Sequence, residues 1–500
     1  MVTYETTIDM VEDLGQTLIM EKYVENKLMS NIRRLRQDLG DGSDLTIRFL
    51  EIGKHLTTSV AIARLEGISD EQRLTETVIQ PLIESFHYLE PSCSLWEEIQ
   101  NTVLATAQVR SEALWHKIME AILAGDTVIF VDGYAKSFLA ETKGIKERAI
   151  AEPTTQSVIR GPKDSFVESI RTNTSLIRKR VTSKNLRIEP VPSLQKLQTK
   201  IELVYLKNRV NPTLLQEIRH RIQQIDKEVI LESGELELQI QDKQTTVFPT
   251  ILHTERPDVV VANILEGRVG IFVDGTPFVL IAPSCFVQFF QSPDDYYQRF
   301  DIGVFLRTLR FITFFFSLLA PSTYIALITY HQAMIPTTLL ISLYAQREGV
   351  PFPPLIEAII MEFLFEILRE AGVRVPTIVG QTISIVGALV LGQAAVQAGL
   401  VSTSMLIVVS ITAISSYAIP QYNLAISTRL LRFLFMFIAF VLGFYGILLG
   451  LFVLFAHLYS LHSFGYLYMS TKLPSIQKAT QHRSVWERIF DIEKNDGFKG

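Results

Sequence analysis

Three glutamates in an otherwise apolar stretch are the residues of this sequence whose spacing best predicts chemistry. Glu362, Glu366 and Glu370 are each four residues apart, so on a helix their carboxylates form one stripe, opposite side chains such as Phe363 and Leu364. Such a stripe does not face lipid. It predicts either an amphipathic helix at a membrane interface, with its acids in water, or a helix that lines a wet pathway attractive to cations.

No other set of residues predicts catalysis or metal binding. The sequence has two cysteines, Cys93 and Cys285, and nine scattered histidines, without HExxH or GxSxG. Gly161-Pro-Lys-Asp-Ser lacks the leading glycine of a phosphate loop, and its proline removes an N–H. We therefore expect no enzyme, no catalytic or metal-binding residue and no cofactor. Two cysteines in so long a chain also favour a reducing compartment for the soluble part.

Charge is distributed very unevenly along the 500 residues. From Asp301 to Thr471 there are 13 charged side chains in 171 residues, whereas the remaining 329 residues carry 86. With 48% apolar residues and a mean hydropathy of +0.24, this pattern indicates a soluble part joined to a membrane part. It excludes a fully soluble enzyme, a disordered chain and a small disulfide scaffold. A net charge of -5 gives no general attraction to nucleic acid.

The apolar half predicts four membrane spans, at about 311–330, 378–398, 401–419 and 433–459. The last is long enough to be tilted. Between the first two, residues 334–374 contain Pro351, Pro353 and Pro354, which break a single span. This segment, which includes the glutamate stripe, is predicted to be amphipathic or re-entrant.

Basic residues at the ends of the predicted spans set the orientation. Arg299, Arg307 and Arg310 precede the first span, and the tail after Thr471 holds six more basic residues. The first 30 residues lack the basic start and apolar core of a signal peptide. Both termini are therefore predicted to be cytoplasmic, although this orientation leaves the arginines of segment 334–374 outside.

The soluble half contains an internal repeat. Residues 122–133 align without a gap on residues 264–275, an offset of 142, and the same offset aligns the segment from Ser59 with that from Ile201. Each copy reads as strand, helix, further helix and a hairpin that turns at Asp-Gly. The fold class is therefore predicted to be a duplicated α/β (or α+β) cytoplasmic domain followed by an all-α polytopic membrane domain. The predicted parts are an N-terminal segment 1–41, lobe 1 at 42–145, a basic linker at 146–184, lobe 2 at 185–298, a transmembrane domain at 299–470 and a cytoplasmic tail at 471–500.

The basic linker has a net charge of +6 between Arg160 and Arg187. It is interpreted as a solvated linker with one helix, as a subunit interface, or as a dock on anionic lipid headgroups. The candidate residues for an interface or membrane surface are Arg160, Lys163, Arg171, Arg178, Lys179 and Arg180.

Many short strings along the chain resemble the A subunit of GerA-type spore germinant receptors, over about residues 42–470. Among them are Ala151-Glu-Pro153, Arg171-Thr-Asn-Thr174, Thr254-Glu-Arg-Pro-Asp258, Val273-Asp-Gly-Thr-Pro-Phe278, Arg347-Glu-Gly-Val-Pro-Phe352 and Glu366-Ile-Leu-Arg-Glu-Ala-Gly-Val373. The tail after Ser470 departs from the common pattern.

The resemblance implies a multi-pass protein of the spore inner membrane with a two-lobed cytoplasmic domain. It implies a homo-oligomer that forms a channel for monovalent cations beside a transporter-like B subunit, thought to bind the nutrient, and a lipoprotein C subunit. Together with the glutamate stripe, it predicts a ligand-gated cation pathway lined partly by residues 355–370 and surrounded by membrane lipid. The alternatives are a non-conducting scaffold subunit and an A-type partner of the dipicolinate-release system. A secondary transporter is disfavoured, because the visible repeat lies in the soluble half.

Overall fold

The chain folds into two similar lobes followed by a bundle of helices. The computed structural model describes residues 22–52, 58–85, 95–100, 109–144, 152–153, 155–156, 158–192, 199–226, 229–374 and 392–470. The predicted tail and most of the predicted span at 378–398 lie outside these residues.

Lobe 1 is an antiparallel five-stranded sheet with helices on both faces. Its elements are α1 Leu28–Leu39, β1 Leu45–Ile52, β2 Thr58–Leu65, α2 Glu71–Leu74, a π-helix Thr75–Ile79, α3 Gln80–Ser85, α4 Leu95–Glu98, β3 Val109–Glu112, α5 Trp115–Leu123, β4 Thr127–Val131 and β5 Ser137–Ala140. The strands lie in the order β1-β2-β4-β5-β3. Ala61 and Ala63 of β2 pack against α1 and α5, while Val60 and Ile62 pack on the opposite face. Alternate residues of one strand thus enter two separate cores.

Lobe 2 repeats this arrangement. Its elements are α6 Ile170–Arg180, β6 Leu186–Pro190, β7 Ile201–Leu206, α7 Pro212–Gln223, α8 Ser233–Ile240, β8 Leu252–Thr254, α9 Pro257–Leu265, β9 Val269–Val273 and β10 Val279–Ala282. The strand order β6-β7-β9-β10-β8 matches that of lobe 1, and every pair is antiparallel. The lobes are therefore α+β units, and the predicted duplication is seen in the topology.

The Asp-Gly hairpin turns explain why both lobes fold alike. Gly133 and Gly275 have φ values of 88° and 93°, as the predicted turn chemistry requires. The aspartate before each glycine accepts the first backbone N–H of a helix: Asp132 from Leu28 of α1, and Asp274 from Ile170 of α6. Each turn therefore closes a hairpin and also caps a helix in the same lobe.

The structure shifts one of the two predicted repeat alignments, that of the segment from Ser59 with the segment from Ile201, by one residue. Val60 pairs with Val131, and Ile201 pairs with Val273. Because the two partner valines are 142 residues apart, Val60 corresponds to Ile201, an offset of 141 for β2 and β7. A one-residue slip exchanges the two faces of a strand, which the sheet register decides and a local alignment does not.

Two predicted boundaries also change. Helix α1 packs its buried face, including Ile32 and Leu35, into the core of lobe 1, so this lobe begins before residue 42. Helix α6 occupies the same position in lobe 2, with Ile170 and Ile177 in its core. Residues 170–180 of the predicted basic linker are thus the first helix of lobe 2.

The bundle follows lobe 2 directly. Its elements are α10 Asp294–Tyr297, α11 Phe300–Thr329, α12 Thr337–Arg347, α13 Pro354–Arg374, α14 Thr403–Tyr417, α15 Tyr422–Ser460 and a small hairpin of β11 His462–Ser463 and β12 Tyr466–Leu467. By length and composition alone, α11 and α15 qualify to cross a membrane, whereas α14 is apolar but shorter. These apolar helices indicate association with a membrane.

Helix α15 reverses direction at Gly443, whose φ of 61° and ψ of −144° are not helical. A Cβ on Gly446 would lie 2.7 Å from the carbonyl oxygen of Ile438, and one on Gly450 would lie 2.9 Å from the ring of Phe435. In a straight helix these pairs would be more than about 10 Å apart. The first arm, residues 422–442, and the second arm, residues 444–460, therefore pack side by side.

Both arms end on the same loop of lobe 2. Ser427 of the first arm donates to the carbonyl of Val247, and His457 of the second arm lies 3.0 Å from the hydroxyl of Thr246. The prediction of one continuous helix over 433–459 is therefore wrong. A single glycine in an apolar sequence gives little local signal for a reversal, because close packing of helices also favours glycine.

Candidate functional site

The predicted glutamate stripe lies on α13, and its first member is enclosed in the bundle. Glu362 is 1% exposed and forms an ion pair with Arg432 of the first arm, which is also 1% exposed. Arg432 donates from Nε to the carbonyl of Ser317 at 2.6 Å and from Nη2 to its hydroxyl at 2.9 Å. The pair joins α13, α11 and α15. Oε1 of Glu362 has no hydrogen-bond partner among the described residues.

The second member, Glu366, forms ion pairs with two arginines. It lies 3.1 Å from Arg369 of its own helix and 2.7 Å from Arg429 of the first arm. Arg369 also donates to the hydroxyl of Ser416 on α14 at 3.1 Å. Two cations thus share one carboxylate, and three helices meet at this point.

Glu370, the third member, is at the surface. Its side chain is 64% exposed and pairs with Arg374, which is 77% exposed. The stripe therefore runs from an enclosed end to an open end. Its role as a wet face stays a prediction.

A fourth glutamate of α13 was missed by the sequence reasoning. Glu357 is fully buried, pairs with Arg347 of α12 at 3.1 Å, and accepts from the backbone N–H and the hydroxyl of Ser402, the N-cap of α14. It lies five residues before Glu362, outside the four-residue spacing. The near balance of acidic and basic residues in this apolar half was a usable signal, since charges inside a membrane usually pair.

A second cluster of charged residues joins the N-terminal part of α11 to the segment that leads out of lobe 2. Asp295 of α10 has no exposed side-chain surface and lies 3.1 Å from Arg307 and 2.7 Å from Arg310, both on α11. These arginines were predicted to precede the first span and to set its orientation. The structure gives them a shared buried partner in the segment that leads out of lobe 2.

Three arginines of the basic segment form ion pairs with acidic residues of the same chain. Arg178 is buried against Asp44 of lobe 1 at 2.7 Å, and Arg180 pairs with Asp164. Arg171 lies 3.3 Å from Glu202, a buried acid in lobe 2. Helix α6 therefore joins the two lobes, and burial raises the pKa of Glu202 against the opposing effect of its partners.

The remaining candidates of this segment lie at the surface. Arg160 and Lys179 are exposed, and Lys163 forms an exposed pair with Glu152. A subunit interface or a lipid dock stays a prediction for them. Among the residues that the structure describes, no group of three His, Cys, Asp or Glu side chains could hold a metal ion.

Duplicated α+β lobes joined to an apolar helical bundle, with its charges paired across helices, define a membrane-associated protein. Residues 33–494 match the family described as Bacillus/Clostridium GerA spore germination protein. The chain belongs to this family and is a spore germination protein of the germinant receptor A-subunit type.

Relatives support this assignment over most of their length. The chain is 46% identical to spore germination protein KA of Bacillus subtilis, covering 90% of this chain and 82% of that protein. It is 37% identical to spore germination protein GerLA of Bacillus cereus, covering 91% and 92%. An uncharacterized membrane protein of Bacillus subtilis, YfkQ, is 41% identical, covering 90% and 87%.

One solved structure is also similar in sequence. The N-terminal domain of the A subunit of the Bacillus megaterium spore germinant receptor GerK3 is 31% identical, with a TM-score of 0.43, covering 53% of this chain and 98% of that one.

Proposed function

We propose that this protein is a multi-pass subunit of a nutrient germinant receptor in the spore inner membrane, with both termini in the cytoplasm. Several copies would form a pathway for monovalent cations that opens when a partner subunit binds the germinant. A transporter-like B subunit and a lipoprotein C subunit are the proposed partners. The observation that carries the proposal is the row of carboxylates on α13, which runs from the enclosed Glu362 to the exposed Glu370 in the apolar bundle of a GerA-family chain.

The ion pairs of this row fit a closed state. Glu362 and Glu366 are held by arginines of the first arm, and a carboxylate that is neutralised by arginine does not attract a passing cation. Opening would separate α13 from the first arm and free these carboxylates. The two arrangements form the two-state element that gating needs.

Exposed apolar surface supports assembly of several copies. None of the described residues of α12 is buried, and Ile341 of this helix is 64% exposed. On α13, Phe363 is 61% exposed. Contiguous apolar surface of this kind marks contact with lipid or with another protein, and a lumen between copies requires closed cyclic symmetry.

Potassium efflux from spores after germinant addition tests the proposal. We expect Glu366→Gln to slow efflux. The double variant Glu366→Gln/Arg429→Gln keeps the net charge of the cluster, because it removes one acid and one base, and should also slow efflux. Asp301→Asn is the control, since its pair with Arg299 is largely exposed.

Protein level and complex assembly are measured in the same spores. Normal efflux from the assembled double variant would mean that the carboxylate of Glu366 is not part of a conduction pathway, and it would favour a non-conducting scaffold subunit. If only the single variant Glu366→Gln slows efflux, Glu366 contributes to the stability of the protein and not to conduction. A monomeric A subunit in the native mass spectrum of the extracted receptor would exclude a lumen formed by several copies.

A further inference from the structure

A cavity of about 750 Å³ lies where lobe 2 meets the bundle. We call it the junction cavity. Asp258 and Glu266 of lobe 2 line one side, and Arg310, Arg369 and Arg429 of the bundle line the other. Three arginines from three separate helices thus converge on one space.

One side of the junction cavity has an excess of positive charge. Arg369 and Arg429 share the single carboxylate of Glu366. Their side chains are only 13% and 12% exposed, and the Nε atom of each is buried without a hydrogen-bond partner among the described residues. A buried donor without an acceptor is costly, so this cluster lacks both a negative charge and hydrogen-bond acceptors.

The second cluster has the same imbalance. Arg307 and Arg310 share the carboxylate of Asp295, and Arg310 lines the junction cavity. The acids on the lobe 2 side do not compensate for it, because each already has a cation. Asp258 pairs with Arg256 at 2.7 Å, and Glu266 pairs with Arg268 at 3.2 Å. Counted together with their ion-pair partners, the charged residues that line the cavity therefore have an excess of two positive charges, one from each cluster.

The position of the cavity matches the headgroup level of a membrane. Arg310 is the last charged residue before an uncharged stretch that continues to Arg347. Tyr296, Tyr417 and Tyr422 line the cavity and are 54%, 71% and 58% exposed. Tyrosines are enriched where a membrane protein meets the interface between lipid and water.

We propose that the junction cavity binds a phosphate group, supplied by an anionic phospholipid of the leaflet that faces the lobes. The planar guanidinium matches phosphate oxygens with two parallel hydrogen bonds. A phosphate offers the negative charge that both clusters lack and the acceptors that are missing from the cluster of Arg369 and Arg429. Bound there, the headgroup joins α11, α13 and the first arm to lobe 2. The inference concerns lipid binding and does not rest on conduction.

Native mass spectrometry of the full-length protein tests the site. The protein is released from nanodiscs of phosphatidylglycerol or of phosphatidylcholine, and the retained lipid is counted. We expect Arg429→Gln to retain phosphatidylglycerol about tenfold more weakly, the loss expected from one charge-assisted hydrogen bond. This variant leaves Glu366 paired with Arg369 one to one, which favours folding. Arg374→Gln is the matched control, since it removes an exposed arginine of α13.

A second arm measures the shift in thermal unfolding caused by inorganic phosphate in delipidated detergent solution. Arginine-dependent binding of phosphatidylglycerol supports the proposed lipid, whereas arginine-dependent binding of inorganic phosphate alone supports the site with a free ion as its ligand. Equal lipid retention by Arg429→Gln and Arg374→Gln, together with equal shifts in thermal unfolding by inorganic phosphate, overturns the proposal. Should Arg429→Gln not fold, Arg310→Gln tests the other cluster by the same criteria, because it leaves Asp295 paired with Arg307.

Discussion

The buried pair of Glu362 and Arg432 gives the most direct test of how the bundle is held together. Glu362→Gln removes the negative charge and leaves Arg432 enclosed, with Ser317 as its remaining partner. Arg432→Gln leaves the carboxylate enclosed instead. Breaking a buried pair from one side costs about 3–5 kcal/mol. The double variant Glu362→Gln/Arg432→Gln leaves no enclosed charge, so most of this loss should be recovered.

The midpoint of thermal unfolding of the full-length protein in detergent measures these effects. At roughly 2 °C per kcal/mol, each single variant should unfold about 6–10 °C lower. The coupling energy from the double-mutant cycle should be at least about 2 kcal/mol. Glu370→Gln is the matched control on the same helix. Its pair with Arg374 is largely exposed, and exposed pairs contribute less than about 1 kcal/mol.

Two results would refute this reasoning. The first is equal unfolding midpoints for Glu362→Gln and Glu370→Gln, because burial would then not matter. The second is additive losses in the double variant, which would mean that the two side chains act independently.

Three further predictions concern other parts of the chain. Arg178→Gln should destabilise the lobes by about 3–5 kcal/mol, because it leaves the buried Asp44 without its ion-pair partner. Arg36→Gln, at the equivalent position of lobe 1, is the control and should change the stability by less than about 1 kcal/mol, since its pair with Asp41 is exposed. Gly443→Ala should lower the unfolding midpoint by several degrees, because the new Cβ would lie 2.7 Å from the ring of His331 and because φ at this position is 61°. Gly349→Ala, with open space around it, is the control. Equal unfolding midpoints for the two variants would contradict the reversal at Gly443. Burial and then the nearby Glu232 raise the pKa of Glu237 to about 7, so the folded state binds this proton more tightly and the stability of lobe 2 should fall as the pH rises from about 5 to 7. Glu237→Gln should remove about 2 kcal/mol of this fall in denaturation curves, and an unchanged pH profile would count against the raised pKa.

Local sequence determined the features that depend on neighbouring residues. The Asp-Gly turns were predictable because positive φ at glycine is a property of the turn itself, and the repeat was visible because both copies kept that turn. The apolar stretches were predictable from length and composition. The offset of β7 against β2 was not predictable, because register depends on the partner strand.

The candidate site shows the same division. The four-residue spacing placed Glu362, Glu366 and Glu370 on one face of α13, since helical geometry is local. The arginines of α15 that pair with Glu362 and Glu366 lie more than 60 residues further along the chain, and no local pattern connects the two helices. The sequence by itself therefore determined where the charges are. Only the tertiary structure decided which are enclosed and paired, because desolvation and ion pairing depend on packing between helices.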